Sequence, residues 1–278
     1  MKRFSRIWAA AAVAALAACS SGTNSTIPAT PAGGAGADLV RSGNTRMSCD
    51  VQAGNVAQCL AIMRTDVAQR PLGVQRDATP SGYGPSDLQS AYNLPSSTNG
   101  AGQTVAIVDA YDDPSAEADL GVYRSQYGLP ACTSANGCFK KVSQTGSTTG
   151  LPSPNGGWAQ EESLDLDMVS AICPNCHIVL VEASSATNAN LATAENEAIT
   201  QGANVVSNSY GGGETGASNS AYNHPGHIIT ASAGDSGYGA QQPCSYSTVV
   251  CIGGTSLTKG GGTRGWTEAA WSGSGRGC

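Results

Sequence analysis

Four continuous apolar runs constrain what this chain can fold into. Residues 103–110 (QTVAIVDA), 177–182 (HIVLVE), 203–209 (ANVVSNS) and 227–233 (HIITASA) lack the strict in–out alternation of a half-exposed strand. Runs of this kind are buried on both faces and belong to parallel sheets. A short fifth run follows at 249–253. Helical segments separate them: 116–127, opened by Asp112-Asp113-Pro114, then a helix after Trp158, then 191–201. Strand–helix alternation predicts an α/β fold, a mostly parallel sheet flanked by helices. Residues 132–142 read as a disulfide-closed hairpin, and a short helix after Gly84 takes Ser86 as its N-cap. Functional groups in such sheets collect at the carboxyl ends of the strands.

The helix at 158–168 (WAQEESLDLDM) carries the most chemistry. Leu164, Met168 and Ile172 recur at helical spacing on one side. Glu161 and Asp165 are four residues apart, so their carboxylates stack on one face, at a cost of roughly a few tenths of a kcal/mol in an isolated helix. Such a pair is either a solvated acidic face or two carboxyls held together to share a proton. Glu162 is out of that register, and Asp167 is expected to point away into solvent or serve as a cap.

The N-terminus predicts export. Lys2, Arg3 and Arg6 precede an apolar run at 7–18, too short for a typical membrane span but suited to a signal peptide. The run ends in Leu16-Ala17-Ala18-Cys19, which resembles a bacterial lipobox, so Cys19 is the expected lipidation site and the only expected tie to a membrane. Residues 1–19 are then a signal peptide, 20–80 a flexible tether with a short cysteine-closed pro-like segment, and 81–278 the main domain. Beyond the signal, 11 basic residues face 20 acidic ones, which leaves no electrostatic case for binding nucleic acid. The ten cysteines suit an oxidising compartment. Apart from Cys19 and Cys278 they fall into close neighbours, 49/59, 132/138, 173/176 and 244/251, which predicts four local disulfides. Cys173-Pro-Asn-Cys176 could be a redox motif or half a zinc site, but it has neither a thioredoxin-like setting nor a second ligand pair, so a structural disulfide is expected.

Three serines invite a hydrolase reading. Gly234-Asp235-Ser236-Gly237 mimics the nucleophile loop of chymotrypsin-like proteases, yet His177, His224 and His227 are the only histidines and none has the expected setting. Residues 105–109, the SNSYGG run at 207–212 and Gly-Gly-Thr-Ser256 are similar to subtilisins, with Asp109 as orienting acid and Ser256 as nucleophile. No His-Gly-Thr-His segment exists, and an Asp–Ser pair without a base cannot deprotonate the hydroxyl at neutral pH. A glutamate bonded to a second carboxyl can take that role. Two close carboxyls cannot both ionise easily, so one pKa rises and the pair titrates as a unit, best suited to acid.

Four stretches make the resemblance specific: 83–94 (YGPSDLQSAYNL), 104–113, Glu161-Glu-Ser-Leu-Asp165, and Ala231-Ser-Ala-Gly-Asp235-Ser-Gly. Together they resemble the sedolisin family, the serine-carboxyl peptidases, over about residues 81–278. The resemblance implies a subtilisin-like fold and an endopeptidase that hydrolyses exported proteins in acid. It implies Glu161 as base, Asp165 as its partner and Asp235 as the protonated acid that donates to the oxyanion. Ser207, Asn208, Ser209, Tyr210 and Gly211 would line the substrate cleft, where an extended peptide pairs through its backbone. The family nucleophile sits in Gly-Thr-Ser-x-x-x-Pro at the start of a helix. Ser256 lies in Gly-Gly-Thr-Ser-Leu-Thr-Lys-Gly, without the proline, and is expected to be structural. The nucleophile, and the family's calcium site, are then expected beyond Cys278, with the fold incomplete at its C-terminus, residues 266–278 starting no element, and no cofactor or metal in this chain. A monomer acting on peptides or unfolded proteins is expected. The alternative is a non-catalytic lipoprotein that binds peptides on the same scaffold.

Overall fold

In the computed structural model the described residues are 45–50, 56–65, 82–213 and 219–276. The signal peptide, Cys19, the first part of the tether and Cys278 lie outside them.

The four apolar runs are strands of one sheet. β4 (Thr104–Ala110), β6 (His177–Ala183), β7 (Val205–Asn208) and β9 (Ile228–Ser232) are joined by β5 (Phe139–Ser143) and β10 (Val250–Ile252). The spatial order is β10-β9-β7-β4-β6-β5, and every adjacent pair is parallel. Central β4 is deeply buried, with Ala106, Ile107, Val108, Asp109 and Ala110 all at 0% exposure. That burial on both faces is why its sequence shows no alternation. Helices α2 (Ala116–Gln126) and α3 (Gly156–Ile172) and helix α4 (Asn188–Thr200) divide the hydrophobic core in two. One cluster joins Ile107, Leu120, Leu166, Ile178 and Leu180; the other joins Val108, Val181, Leu191, Ala194, Val206 and Ile229.

All four expected disulfides are present: Cys49–Cys59, Cys132–Cys138, Cys173–Cys176 and Cys244–Cys251. Three local expectations are corrected. Residues 132–142 are not a hairpin: the disulfide closes a turn, and β5 runs parallel to β6, with Phe139 opposite Ile178. Helix α1 (Pro85–Ala91) is capped by Gly84, with Pro85 at the first helical position, where its missing N–H costs nothing. Residues 266–270 do start an element: β11 (Thr255–Lys259) and β12 (Trp266–Ala270) form an antiparallel hairpin. That hairpin leans on α1 through Tyr83 against Trp266 and Lys259 against Asp87.

The cysteine-closed segment folds back as a strap. β1 (Thr45–Met47) pairs antiparallel with β3 (Ile62–Arg64), and between them β2 (Gln58–Cys59) pairs antiparallel with β8 (Tyr210–Gly211).

Candidate functional site

Helix α3 is aimed at the carboxyl end of the sheet. Asn155 starts it by accepting from the amides of Gly157 (3.0 Å) and Trp158 (3.2 Å), which satisfies two of its free donors. The side it buries is not the one on which Leu164, Met168 and Ile172 recur. Trp158, Glu161, Glu162, Leu166, Val169, Ser170 and Ala171 are buried, while Leu164 and Ile172 are exposed at 41% and 44%. The helix turns its carboxyls inward.

Glu161 is 1% exposed. Its Oε1 accepts from the Ser209 hydroxyl at 2.6 Å, and its Oε2 accepts from the backbone amides of Leu60 (2.6 Å) and Ala61. Burial pushes Glu161 up to about 7, against the three donors, and the nearby Asp235 pushes in the same direction. Asp165, one turn on, is raised well above the usual carboxylate range, first by burial and then by Glu161, with Ser209 opposing. Its Oδ2 is shut away from solvent without a hydrogen-bond partner among the described residues. A buried carboxyl with an orphan oxygen is stable when it carries a proton. Ser209 thus stands where both acids feel it. Asp235, half-buried in the loop after β9, is raised to about 6 by burial.

A second layer of acids lies behind these. Asp109, at the end of β4 opposite Glu182 of β6, has neither oxygen bonded among the described residues. Burial, then Asp165, Glu162, Glu161 and Glu182, raise it well above the usual range. Glu162 is fully buried and pushed up to about 10 by burial and by Glu182 and Asp113, against the pull of Lys141. Lys141 holds the rim of this layer, 2.5 Å from Asp112 and 3.2 Å from Glu182. Asp167, expected in solvent, is instead pushed up to about 8 by burial and by Asp119.

The residues expected to line a cleft divide in two. Ser207 is half-buried in β7, paired across to Ile107 and Thr230. Asn208 and Tyr210 send their side chains beneath the sheet: Tyr210 donates to Asn208 Oδ1 at 2.7 Å and bonds Tyr222 at 2.9 Å, and Asn208 donates to the Thr230 carbonyl. Ser209 and Gly211 remain at the edge that meets the strap. Gly211 lies against the Gln241 side chain, whose amide end would have to move to admit a Cβ there. Trp158 sits beside them, its ring 6.3 Å from Tyr111 and 6.2 Å from Tyr210.

Ser256 stands in exposed β11, opposite Ala269, on the hairpin that packs against α1. Ser236 is exposed beside Asp235. Among the described residues, the serine hydroxyl on Glu161 is that of Ser209. Sequence reasoning gave Ser209 only a backbone role, and the amides of Leu60 and Ala61 had no side-chain signature to find. Among the described residues no group of three or more His, Cys, Asp or Glu is placed to hold a metal ion.

Comparisons with known proteins bear on the fold and its relatives. The chain is 30% identical over 222 residues, 71% of its length, to kumamolisin from Bacillus sp. (strain MN-32). The chain is sedolisin-like. Pseudomonas sedolisin, a serine-carboxyl proteinase solved with two molecules of pseudo-iodotyrostatin, shares its fold, with a TM-score of 0.51 and 20% identity over 69% of this chain and 63% of that one. No family model matches. The match spans 38% of kumamolisin's own length, so this sedolisin-like chain corresponds to a little over a third of that relative.

Proposed function

We propose that this sedolisin-like chain carries the proton-handling and peptide-binding part of a serine-carboxyl endopeptidase that works in acid on exported or unfolded proteins. The observation that carries this reading is Glu161: a buried carboxyl held by a serine hydroxyl, with Asp165 one turn behind and Asp235 near enough to raise it. In the fraction that is ionised at the working pH, Glu161 would take the proton of the attacking serine and pass it to the leaving amine, as a general base and then a general acid. Asp165, kept protonated, would hold Glu161 in place and share its proton. Asp235, protonated below about pH 6, would donate to the oxyanion, an interaction that strengthens as charge develops. The substrate would lie extended along Ser209–Gly211 and pair through its backbone.

The four disulfides among the described residues suit the oxidising destination that an export signal and a lipid on Cys19 would give. Among the described residues no helix is long and apolar enough to cross a membrane, so a lipid would be the anchor in this reading.

A second reading, a peptide-binding protein without turnover, is favoured by one observation: the serines described here do not complete the set. Ser256 lies in the hairpin, and Ser209 comes from the substrate strand. Denatured casein incubated with the chain at pH 4, followed by mass spectrometry, separates the readings. Cleavage that Glu161→Gln abolishes supports the peptidase, and its further loss in Ser256→Ala would make Ser256 the nucleophile. Saturable binding without products supports the binding protein. Neither binding nor cleavage between pH 3 and pH 7 overturns both.

A further inference from the structure

The loop that carries Asp235 is framed by a segment with no other evident role. Gly234 and Gly237 have positive φ, +99° and +78°, so the chain turns sharply on either side of Asp235-Ser236. The backbone groups exposed by those turns are taken up by four consecutive residues far along the chain, 273–276. The Gly275 amide donates to the Gly234 carbonyl at 2.6 Å, and the Gly237 amide donates to the Gly273 carbonyl at 2.9 Å. The Gly239 amide donates to the Arg276 carbonyl at 2.8 Å, and Tyr238 forms a parallel bridge with Arg276.

This segment is itself tied down. Gly273, Ser274 and Gly275 are buried, as are Gly234 and Gly237 opposite them. Gly275 lies against Ala233, and a Cβ there would run into the Ala233 carbonyl, which cannot swing aside as the end of a side chain can. The Ser274 hydroxyl accepts from the Gly254 amide at 2.8 Å and donates to the Gly275 carbonyl at 3.1 Å. The Trp271 amide donates to the Gly254 carbonyl at 3.1 Å, and the Ala233 amide donates to the Ile252 carbonyl at 2.8 Å. The end of β10, the Asp235 loop and residues 271–276 thus form one hydrogen-bonded stack at the base of the β11–β12 hairpin.

We propose that residues 273–276 are a clamp that positions Asp235, with Gly275 as the residue on which its fit depends. Clamping the loop on both sides of Asp235 holds the carboxyl half out of water, and burial is the cause that raises it to about 6. The charged groups around it do not replace that cover. On α3, Glu161 is the group that feels Asp235. On the clamp, the Arg276 guanidinium donates to the Ser272 carbonyl at 3.2 Å, and β9 and β10 bring no charged side chain. The clamp stands apart from the peptidase reading; the use of Asp235 as donor to an oxyanion rests on that reading.

Carboxyl NMR of the full chain, assigned with Asp235→Asn, reads the Asp235 midpoint directly. The wild type should titrate near 6. Gly275→Ala should push the clamp off Ala233 and lower the midpoint by about one pH unit or more, toward the ordinary value of about 3.9. Amide exchange at Gly237 and Gly239 should quicken with it. Should that variant fail to fold, Ser274→Ala removes the tie to Gly254 without adding bulk, and should move both readouts the same way by less. A folded variant that melts earlier but keeps the wild-type midpoint and exchange has lost only structure, and overturns the proposal. A wild-type midpoint already near 4 overturns it as well. The pH profile of casein cleavage then separates the two levels. An alkaline limb that falls with the midpoint supports clamp and oxyanion donor together. A limb that stays while the midpoint falls leaves the clamp standing and removes Asp235 from the chemistry. A chain that binds casein without cleaving it leaves the titration to decide the clamp.

Discussion

Glu161 and Glu268 are the same residue type in opposite conditions. Each accepts three hydrogen bonds: Glu161 from Ser209, Leu60 and Ala61, and Glu268 from Tyr92, Thr255 and Arg264. Glu268, on the exposed hairpin, is held down at about 2 by those donors. Glu161, on the buried side of α3, is pushed up to about 7 despite its donors. Three donors therefore do not decide whether a carboxyl is charged; loss of water outweighs them once the group is inside. The carboxyl edge of the sheet is a place where acids keep their protons, and the hairpin is a place where they lose them.

The largest expected effect of this contrast is on stability against pH. For Glu161 (about 7), Glu162 (about 10) and Glu182 (about 8), the folded value lies above the unfolded value of about 4.3. The folded state therefore holds extra protons between about pH 4 and those values. The stabilisation is complete below about pH 4 and is lost as pH rises, at about 1.4 kcal/mol per pH unit for each carboxyl still in its window. Thermal melts should give a higher midpoint at pH 4 than at pH 8, by several degrees or more. A midpoint that rises toward pH 8 would mean these acids are ionised in the fold.

Next in size is Lys141→Met. It leaves Asp112 and the fully buried Glu182 without their cation, and removing one partner of such a pair costs about 3–5 kcal/mol at the buried limit. Urea unfolding should show the loss clearly at pH 8 and much less at pH 4, where Glu182 carries its own proton. Equal losses at both pH values would break the link between the pair and the acid layer.

Ser209→Ala should act on the base more than on the fold. It removes a donor that lowers Glu161, so the apparent pKa on the acid limb of any cleavage profile should move upward. An unmoved limb with lower turnover would confine Ser209 to substrate contact. The smallest effect belongs to Glu268→Gln, whose charge is screened by water; its melting midpoint should stay within error of the wild type in 0.5 M salt.

The sheet was legible because continuous apolar runs have one common explanation, burial on both faces, and β4, β6, β7 and β9 follow them to within two residues at each end. Disulfides closing loops of a few residues were legible for the same local reason. What escaped depended on partners far away in sequence. β5 pairs with a strand some 40 residues on, so a cysteine-closed segment with a lysine pair looked like a hairpin. The buried side of α3 does not follow Leu164 and Ile172, because a protonated carboxyl packs like a neutral polar group, and nothing in their spacing reveals that Asp109 and Glu182 wait opposite. Glu161 and Asp165 were found through a motif rather than through amphipathicity, and the backbone donors of the strap left no mark on the side chains.

The strap also orders the chain in time. β2 leaves the ribosome early, but its partner β8 follows some 150 residues later, roughly ten seconds or more at the usual pace of synthesis. Through that interval Leu60 and Ala61 have no β8 edge beside which to settle. The first described strands to be made therefore wait for a seat that is completed only when β8 follows.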